Sequence, residues 1–293
     1  MTTSGYANFL TAIGHTVRHL DGVYWFNTQP HVYMSFPFDA HVSPSSIDVQ
    51  AILQGDGWII RHPCDLEVGR PSYRIVIDSP KYGMESLSGK ARNQTRRGLE
   101  QCDVGPISFD ELKRYGLKLN RDTMVRQGRT IASSFDRYWI NYYSCASVAD
   151  GAEAWAAFAE GGLAAYLIAF VMEDVSHILI VRSSYSLLKS YPNNALIYGY
   201  VQDTLGNGRV REVSIGLESI QEGMDSLDHF KLGMGFRLKP VGQRVHFAPS
   251  IDKVLRAGGL KAMRWLLGLG MGGERSSKLA GLLRWYSEQP MVR

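Results

Sequence analysis

A few side chains in this 293-residue chain have the types and spacing for chemistry. Lys231 follows Phe230 late in a predicted helix, where its ammonium could hold an anionic substrate group. Lys90, Arg92, Arg96 and Arg97 form one short basic run, and Arg92 and Arg96 share a helical face. Such a face binds phosphates or is simply solvated. Glu218 follows a predicted strand, and loops at strand ends are a natural place for a base. Tyr198, on a predicted helix, could pass a proton to a leaving group, although one tyrosine among 15 is ordinarily packing. His15 and His19 are four apart, as helical metal ligands are, but no glutamate lies between them and no third ligand stands out, so no metal is expected. The run Gly268-Leu269-Gly270-Met271-Gly272-Gly273 follows no strand, which makes it a break between tail helices rather than a dinucleotide loop. No Gly-x-Ser-x-Gly elbow is present.

These residues need elements to hold them. The N-terminal third reads as short aromatic and β-branched strands, such as Val23-Tyr24-Trp25-Phe26 and Tyr73-Arg74-Ile75-Val76-Ile77, punctuated by Pro and Gly. The basic run follows, as a short helix stopping near Gly98. Ser108 and Glu111 form a capping box, and Leu112, Tyr115 and Leu119 repeat at helical spacing behind it. Further helices are predicted over Ser134 to Tyr143 and Ala152 to Glu160, the latter stopped by Gly161-Gly162. Then come an apolar strand from Leu163 to Val171 and its partner from Val175 to Arg182, with Val175, His177, Leu179 and Val181 on one face. A helix beginning near Pro192 follows. A strand from Val210 to Gly216, a helix from Met224 to Met234 closed by Gly235, and a strand from Arg237 to Phe247 complete the order.

Composition is that of an ordinary globular protein, 45% hydrophobic and 20% charged. Three widely spaced cysteines make neither a disulfide framework nor a zinc motif, which fits a reducing, cytoplasmic setting. No signal peptide is read at the N-terminus, and no apolar run is long enough to span a bilayer. The net charge of +4 resides in the last 45 residues, where eight Lys and Arg face three Asp and Glu. This tail, residues 249–293, mixes leucines and tryptophans with its basic residues. It suits peripheral contact with an anionic membrane, or equally a pair of helices packed on the domain.

Three pieces resemble the GNAT acyltransferase superfamily, and within it the Fem-type branch of peptidoglycan-bridge aminoacyl transferases: Lys90 to Arg97, the strand–helix–strand unit from Val175 to Gly216, and Phe230-Lys231 leading to Gly235-Phe236 and a closing strand. The resemblance covers roughly residues 85–248 and implies an α/β fold: a GNAT-like mixed sheet flanked by helices, with a reduced N-terminal GNAT-like half and a helical basic tail. The expected divisions are 1–107, 108–248 and 249–293. In such a fold two parallel strands splay apart, and the donor's thin arm lies in the gap. By resemblance, Val181, Arg182, Ser190, Asn193 and Asn194 bind the donor. Lys90, Arg92, Arg96 and Lys231 bind substrate, and Glu218 and Tyr198 serve catalysis.

The sequence departs from coenzyme A-dependent members at Leu188-Lys189-Ser190-Tyr191-Pro192-Asn193-Asn194, which lacks their glycine-rich pyrophosphate turn. The expected donor is therefore acyl-coenzyme A or aminoacyl-tRNA, the second being compatible with the missing turn. The expected activity is an N-acyl or aminoacyl transfer onto a small-molecule or peptide amine. The alternative is a non-catalytic GNAT-like binding module, peripheral at an anionic membrane through its basic tail.

Overall fold

The computed structural model describes residues 2–221, 225–259 and 274–291. In chain order the strands are β1 (Val17–Leu20), β2 (Val23–Gln29), β3 (Val32–Phe36), β4 (Ile59–Cys64), β5 (Arg70–Ile77), β6 (Asp103–Pro106), β7 (Ala152–Ala159), β8 (Gly162–Met172), β9 (Val175–Ser183), β10 (Glu212–Leu217) and β11 (Arg237–Phe247). The helices are α1 (Thr3–Ala12), α2 (Val49–Leu53), α3 (Gly89–Gln101), α4 (Phe109–Arg126), α5 (Phe135–Ala146), α6 (Pro192–Gly206), α7 (Asp225–Gly233), α8 (Pro249–Val254) and α9 (Glu274–Glu288). The chain divides into two compact units interleaved along the sequence. One is Met1–Gly14, Ile75–Gly216 and Leu227–Arg237; the other is His15–Arg74, Leu217–Ser226 and Leu238–Arg293. The three consecutive blocks expected from the sequence do not coincide with these units, because N-terminal strands and C-terminal tail share one core. Among the described residues no helix is long and apolar enough to cross a membrane.

In the first unit β10 pairs parallel with β9, and β9, β8, β7 and β6 follow antiparallel. From Leu163 onward β8 is buried along its whole length, as a strand covered on both faces must be. Helix α1, unforeseen in the sequence, packs Phe9 against Phe170, with ring centres 4.6 Å apart, and edge-to-face against Tyr142 at 5.0 Å. The capping box of α4 is formed: Ser108 Oγ accepts the Glu111 amide at 3.2 Å, and Glu111 Oε2 accepts the Ser108 amide at 3.1 Å.

Two local expectations are corrected here. Ala152 to Glu160 is a strand, not a helix. Its alanines are good helix formers, but Glu160 and Gly161 both take positive φ (50° and 73°), making the tight turn that folds β7 onto β8. Helix α3 also runs past Gly98. That glycine marks close packing instead of a stop, because a Cβ there would sit 2.8 Å from the Tyr191 carbonyl oxygen at the start of α6.

In the second unit β1, β2 and β3 are antiparallel neighbours, β3 pairs parallel with β4, and β4 antiparallel with β11. Of the two histidines, His15 precedes β1 and binds the Asn27 carbonyl through Nδ1 at 2.7 Å, while His19 lies on β1 and stacks on Tyr24 at 4.1 Å. They do not share a helix. The tail supplies core: Leu282, Leu283 and Trp285 of α9 are buried with Ile59, Val245 and Phe247. Those side chains are therefore not available to a bilayer. The glycine run at 268–273 lies outside the described residues.

β4 and β11 also bring two histidines together. His62 donates from Nδ1 to the Pro63 carbonyl at 3.0 Å, so its Nε2 accepts, and His246 Nε2, 3.1 Å away, must donate. Burial, with Arg244 nearby, pushes His62 from 6.5 down to about 4; burial, the facing His62 and Arg244 push His246 to about 3. Both rings are neutral near neutral pH. The unfolded chain takes up protons below pH 6.5 that the folded state refuses, so stability is complete above 6.5 and falls as pH drops toward 4. One such ring is worth on the order of 3 kcal/mol. The expected result is a fall in Tm across this window that is shallower in His246→Gln; equal slopes would refute it.

Candidate functional site

The site begins where two parallel strands stop pairing. β10 and β9 are in register for three residue pairs, Glu212 with Val175, Val213 with Ser176 and Ser214 with His177. β9 continues to Ser183 with its other edge still paired to β8, so from Ile178 onward the edge toward β10 is open. Gly216, two residues past the last pair, has φ +113°, a conformation that lets β10 bend and that L side chains rarely adopt. The β8–β9 register slips between Ile168 and Ala169, which leaves Leu179 as the extra residue of a bulge. The bulge changes the parity of β9. The single face expected from Val175 to Val181 is thereby broken at Leu179, and the open edge of β9 lines the concavity from Ile178 to Ser183 through Ile178, Leu179, Val181, Arg182 and Ser183.

That concavity has a volume of about 420 Å³, within the range of small-molecule sites. β9 also contributes Arg182, β10 contributes Ile215, and α6 contributes Asn193 and Ile197. Phe230 and Lys231 come from α7, and Thr123 and Arg126 from the last turns of α4. Each is held by identifiable local structure. Helix α7 ends in a Schellman motif: the Phe236 amide donates to the Lys231 carbonyl at 3.2 Å and the Gly235 amide to the Leu232 carbonyl at 3.1 Å, with Gly235 at φ +87°. The Ser88 amide donates to the Gly233 carbonyl at 2.9 Å, and the Tyr82 hydroxyl to the Met234 carbonyl at 2.9 Å. The backbone of Lys231 is therefore fixed, and its ammonium, largely buried, donates to Asp228 at 3.0 Å.

Arg182 donates to the Val181 carbonyl at 3.0 Å and lies 5.5 Å from the Trp139 ring centre, a cation–π contact. Asn193 donates to Ser183 Oγ at 3.3 Å. Asn193 Oδ1 and Thr123 Oγ1 are buried and have no partner among the described residues, so both are open to a ligand. Among the described residues the charged groups lining the cleft are all cations, Arg126, Arg182 and Lys231, and no carboxylate, histidine, tyrosine or cysteine lines it. The arrangement suits an extended, partly apolar arm with an anionic end.

The remaining expected residues lie elsewhere. Ser190 is buried beside Cys102, whose thiol donates to its carbonyl at 3.5 Å. Asn194 is buried with Nδ2 at 3.3 Å from Met234 Sδ. Tyr198 is buried on α6, its ring 5.7 Å from that of Tyr82, and burial raises its pKa. On α3, Lys90 and Arg96 are exposed, while Arg92 is tied to Glu85 at 3.2 Å and to the Leu87 carbonyl at 3.2 Å. Glu218 belongs to the second unit, where its carboxylate accepts from Arg70 at 2.8 Å and from Ser72 Oγ at 2.7 Å. Its lone pairs are thus engaged by a guanidinium and a hydroxyl, as in a structural ion pair. The residues missed by sequence reading are those of α4; Arg126 carries no signal beyond being a basic residue in a helix's last turn.

The start of α6 is where a pyrophosphate cradle would lie. Tyr191 caps the helix in a left-handed conformation, and Pro192 has no amide hydrogen. The amides of Ser190 and Tyr191 donate to Leu187 and Leu188, each at 3.1 Å, and those of Asn194 and Ala195 donate to the Tyr191 carbonyl at 3.1 and 3.2 Å. These four amides are used within the chain.

Against solved structures the chain is similar to FemX, with a TM-score of 0.60, 12% identity, and 87% of this chain and 93% of that one covered. It is also similar to the C-terminal domain of a putative lysylphosphatidylglycerol synthetase from Agrobacterium fabrum (TM-score 0.53, 11% identity, 86% and 91% covered). A third similar structure is L-PGS from Bacillus licheniformis (0.50, 12%, 84% and 90%). No family model and no curated protein matches the sequence. The chain has a GNAT/Fem-like fold: α/β, with mixed sheets flanked by helices.

Proposed function

We propose that the chain transfers an aminoacyl or other acyl group from a carrier-bound donor onto an amine, with the donor's arm lying between β9 and β10. The observation that carries this reading is the parting of the two strands after Ser214 and His177, which leaves a strand edge open along a cleft of about 420 Å³. Val181 and Arg182 offer that edge, Asn193 a neutral hydrogen-bond partner, and Lys231 and Arg126 the charge for an anionic end. In the reaction the amine nitrogen bonds to the donor's carbonyl carbon and the bond from that carbon to the carrier breaks. The proton lost by nitrogen leaves with the carrier.

The donor we favour is aminoacyl-tRNA over acyl-coenzyme A. The four occupied amides at the start of α6 disfavour a pyrophosphate there. The exposed Lys90 and Arg96 of α3 would then meet RNA phosphates. Glu218 and Tyr198 receive no catalytic role in this reading.

Thermal shift with acetyl-coenzyme A, a longer acyl-coenzyme A and charged tRNA tests it. At a hundredfold excess over its dissociation constant a ligand adds about 2.7 kcal/mol. Stabilisation by charged tRNA is expected. Stabilisation by a coenzyme A species alone would reverse the donor assignment, and none by any donor would favour a non-catalytic module.

A further inference from the structure

The second unit holds a concavity of its own, about 260 Å³, unrelated to the transfer reading. Arg244 and His246 of β11 line it, with Asp252 and Lys253 of α8, Arg256 just beyond, and Tyr286 of α9. Among the described residues three cations face one carboxylate. Asp252 is already engaged, accepting from Arg256 Nε at 2.7 Å and from the Tyr286 hydroxyl.

Arg244 is only 6% exposed. Its Nη1 donates to the carbonyl of Val68 and, at 3.0 Å, to that of Pro290. Its Nε has no partner, and no carboxylate pairs with it among the described residues. A guanidinium taken out of water without a counter-charge is costly, and a bound anion offsets that cost. His246 is not a fourth cation. The hydrogen bond running through His62 to the Pro63 carbonyl fixes it as the neutral Nε2–H tautomer, which leaves Nδ1 as an acceptor.

We propose that this concavity binds a phosphate group. Its cations come from β11 on one side and from α8 and its continuation on the other, and meet a tetrahedral, multiply charged oxyanion better than a planar carboxylate, since each can address a different oxygen. The volume admits a phosphate with a small attached group. The group belongs to a soluble phosphate ester or to a phospholipid headgroup, and the two sources are separable.

The test uses the full chain and the exposed pair Lys253→Gln/Arg256→Gln, because Arg244→Gln removes bonds that hold backbone in place. Inorganic pyrophosphate is titrated at constant ionic strength while Tm is followed, and sedimentation is measured with phosphatidylcholine vesicles with and without phosphatidic acid. A saturable rise in Tm that weakens about tenfold or more in the double variant, and is unchanged in Lys231→Met, identifies a soluble phosphate. Sedimentation that requires phosphatidic acid and is lost in the double variant, without a pyrophosphate response, identifies a headgroup. No response to either probe, or a response the double variant leaves intact, overturns the proposal.

Discussion

Trp285→Ala is expected to destabilise the protein by about 3–5 kcal/mol, the range for removing a fully buried large aromatic side chain. Trp285 is fully buried, among Ile59, Val245, Phe247, Leu282 and Leu283. Its ring also lies 4.6 Å from the guanidinium carbons of both Arg61 and Arg70. Arg61 is partly buried, and the loss of hydration pushes its pKa down to about 10. It donates to Gln243 at 2.7 Å and to the Glu218 carbonyl at 2.9 Å, while Arg70 bridges Glu218 at 2.8 Å and Glu288 at 2.7 Å. Removing the indole therefore empties the core and exposes two organised cations to water. A fall in Tm on the order of 10 °C follows. Trp285→Phe keeps the apolar volume and a ring face and should recover more than half of the loss. If urea unfolding shows a change below about 1 kcal/mol for Trp285→Ala, α9 does not contribute to this core.

The second large effect concerns the cleft. Val181→Trp places an indole along the open edge of β9, and Val181 is only half-buried, so the core is spared. If the donor's arm lies there, transfer should fall about a hundredfold or more, because displacement of a reacting group by even an ångström costs on that order. Tm should change by no more than a few degrees. Lys231→Met keeps the apolar stem and removes the charge; a lost charged contact of 1.5–3 kcal/mol corresponds to about a 10- to 100-fold loss. The two variants separate arm from anchor: the first should abolish donor-induced stabilisation, the second weaken it. Full activity in Val181→Trp would remove the donor from the gap between β9 and β10.

Glu218 shows how much a sequence position leaves unsaid. It follows a strand, as a catalytic base often does, yet Arg70 and Ser72 claim its carboxylate from nearly 150 positions away. The Ala152–Ala159 strand is the same lesson in secondary structure. Its alanines favour a helix by a fraction of a kcal/mol each, and pairing with β6 and β8 outweighs that preference.

What the sequence by itself determined are features set within about one turn of chain: the capping box of α4, proline at the first turn of α6, the glycine that closes α7 behind Lys231, and the buried run of β8. The order of these elements also carried the resemblance to a GNAT/Fem-like fold. Only the tertiary structure decided where β9 and β10 part, that a bulge falls at Leu179 beside the cleft, that α4 lends it Arg126, and that β11 and the tail leave Arg244 with no carboxylate partner among the described residues. Caps, turns and periodicity act through neighbours three or four residues apart, whereas strand pairing and charge compensation depend on segments that meet only when the chain folds.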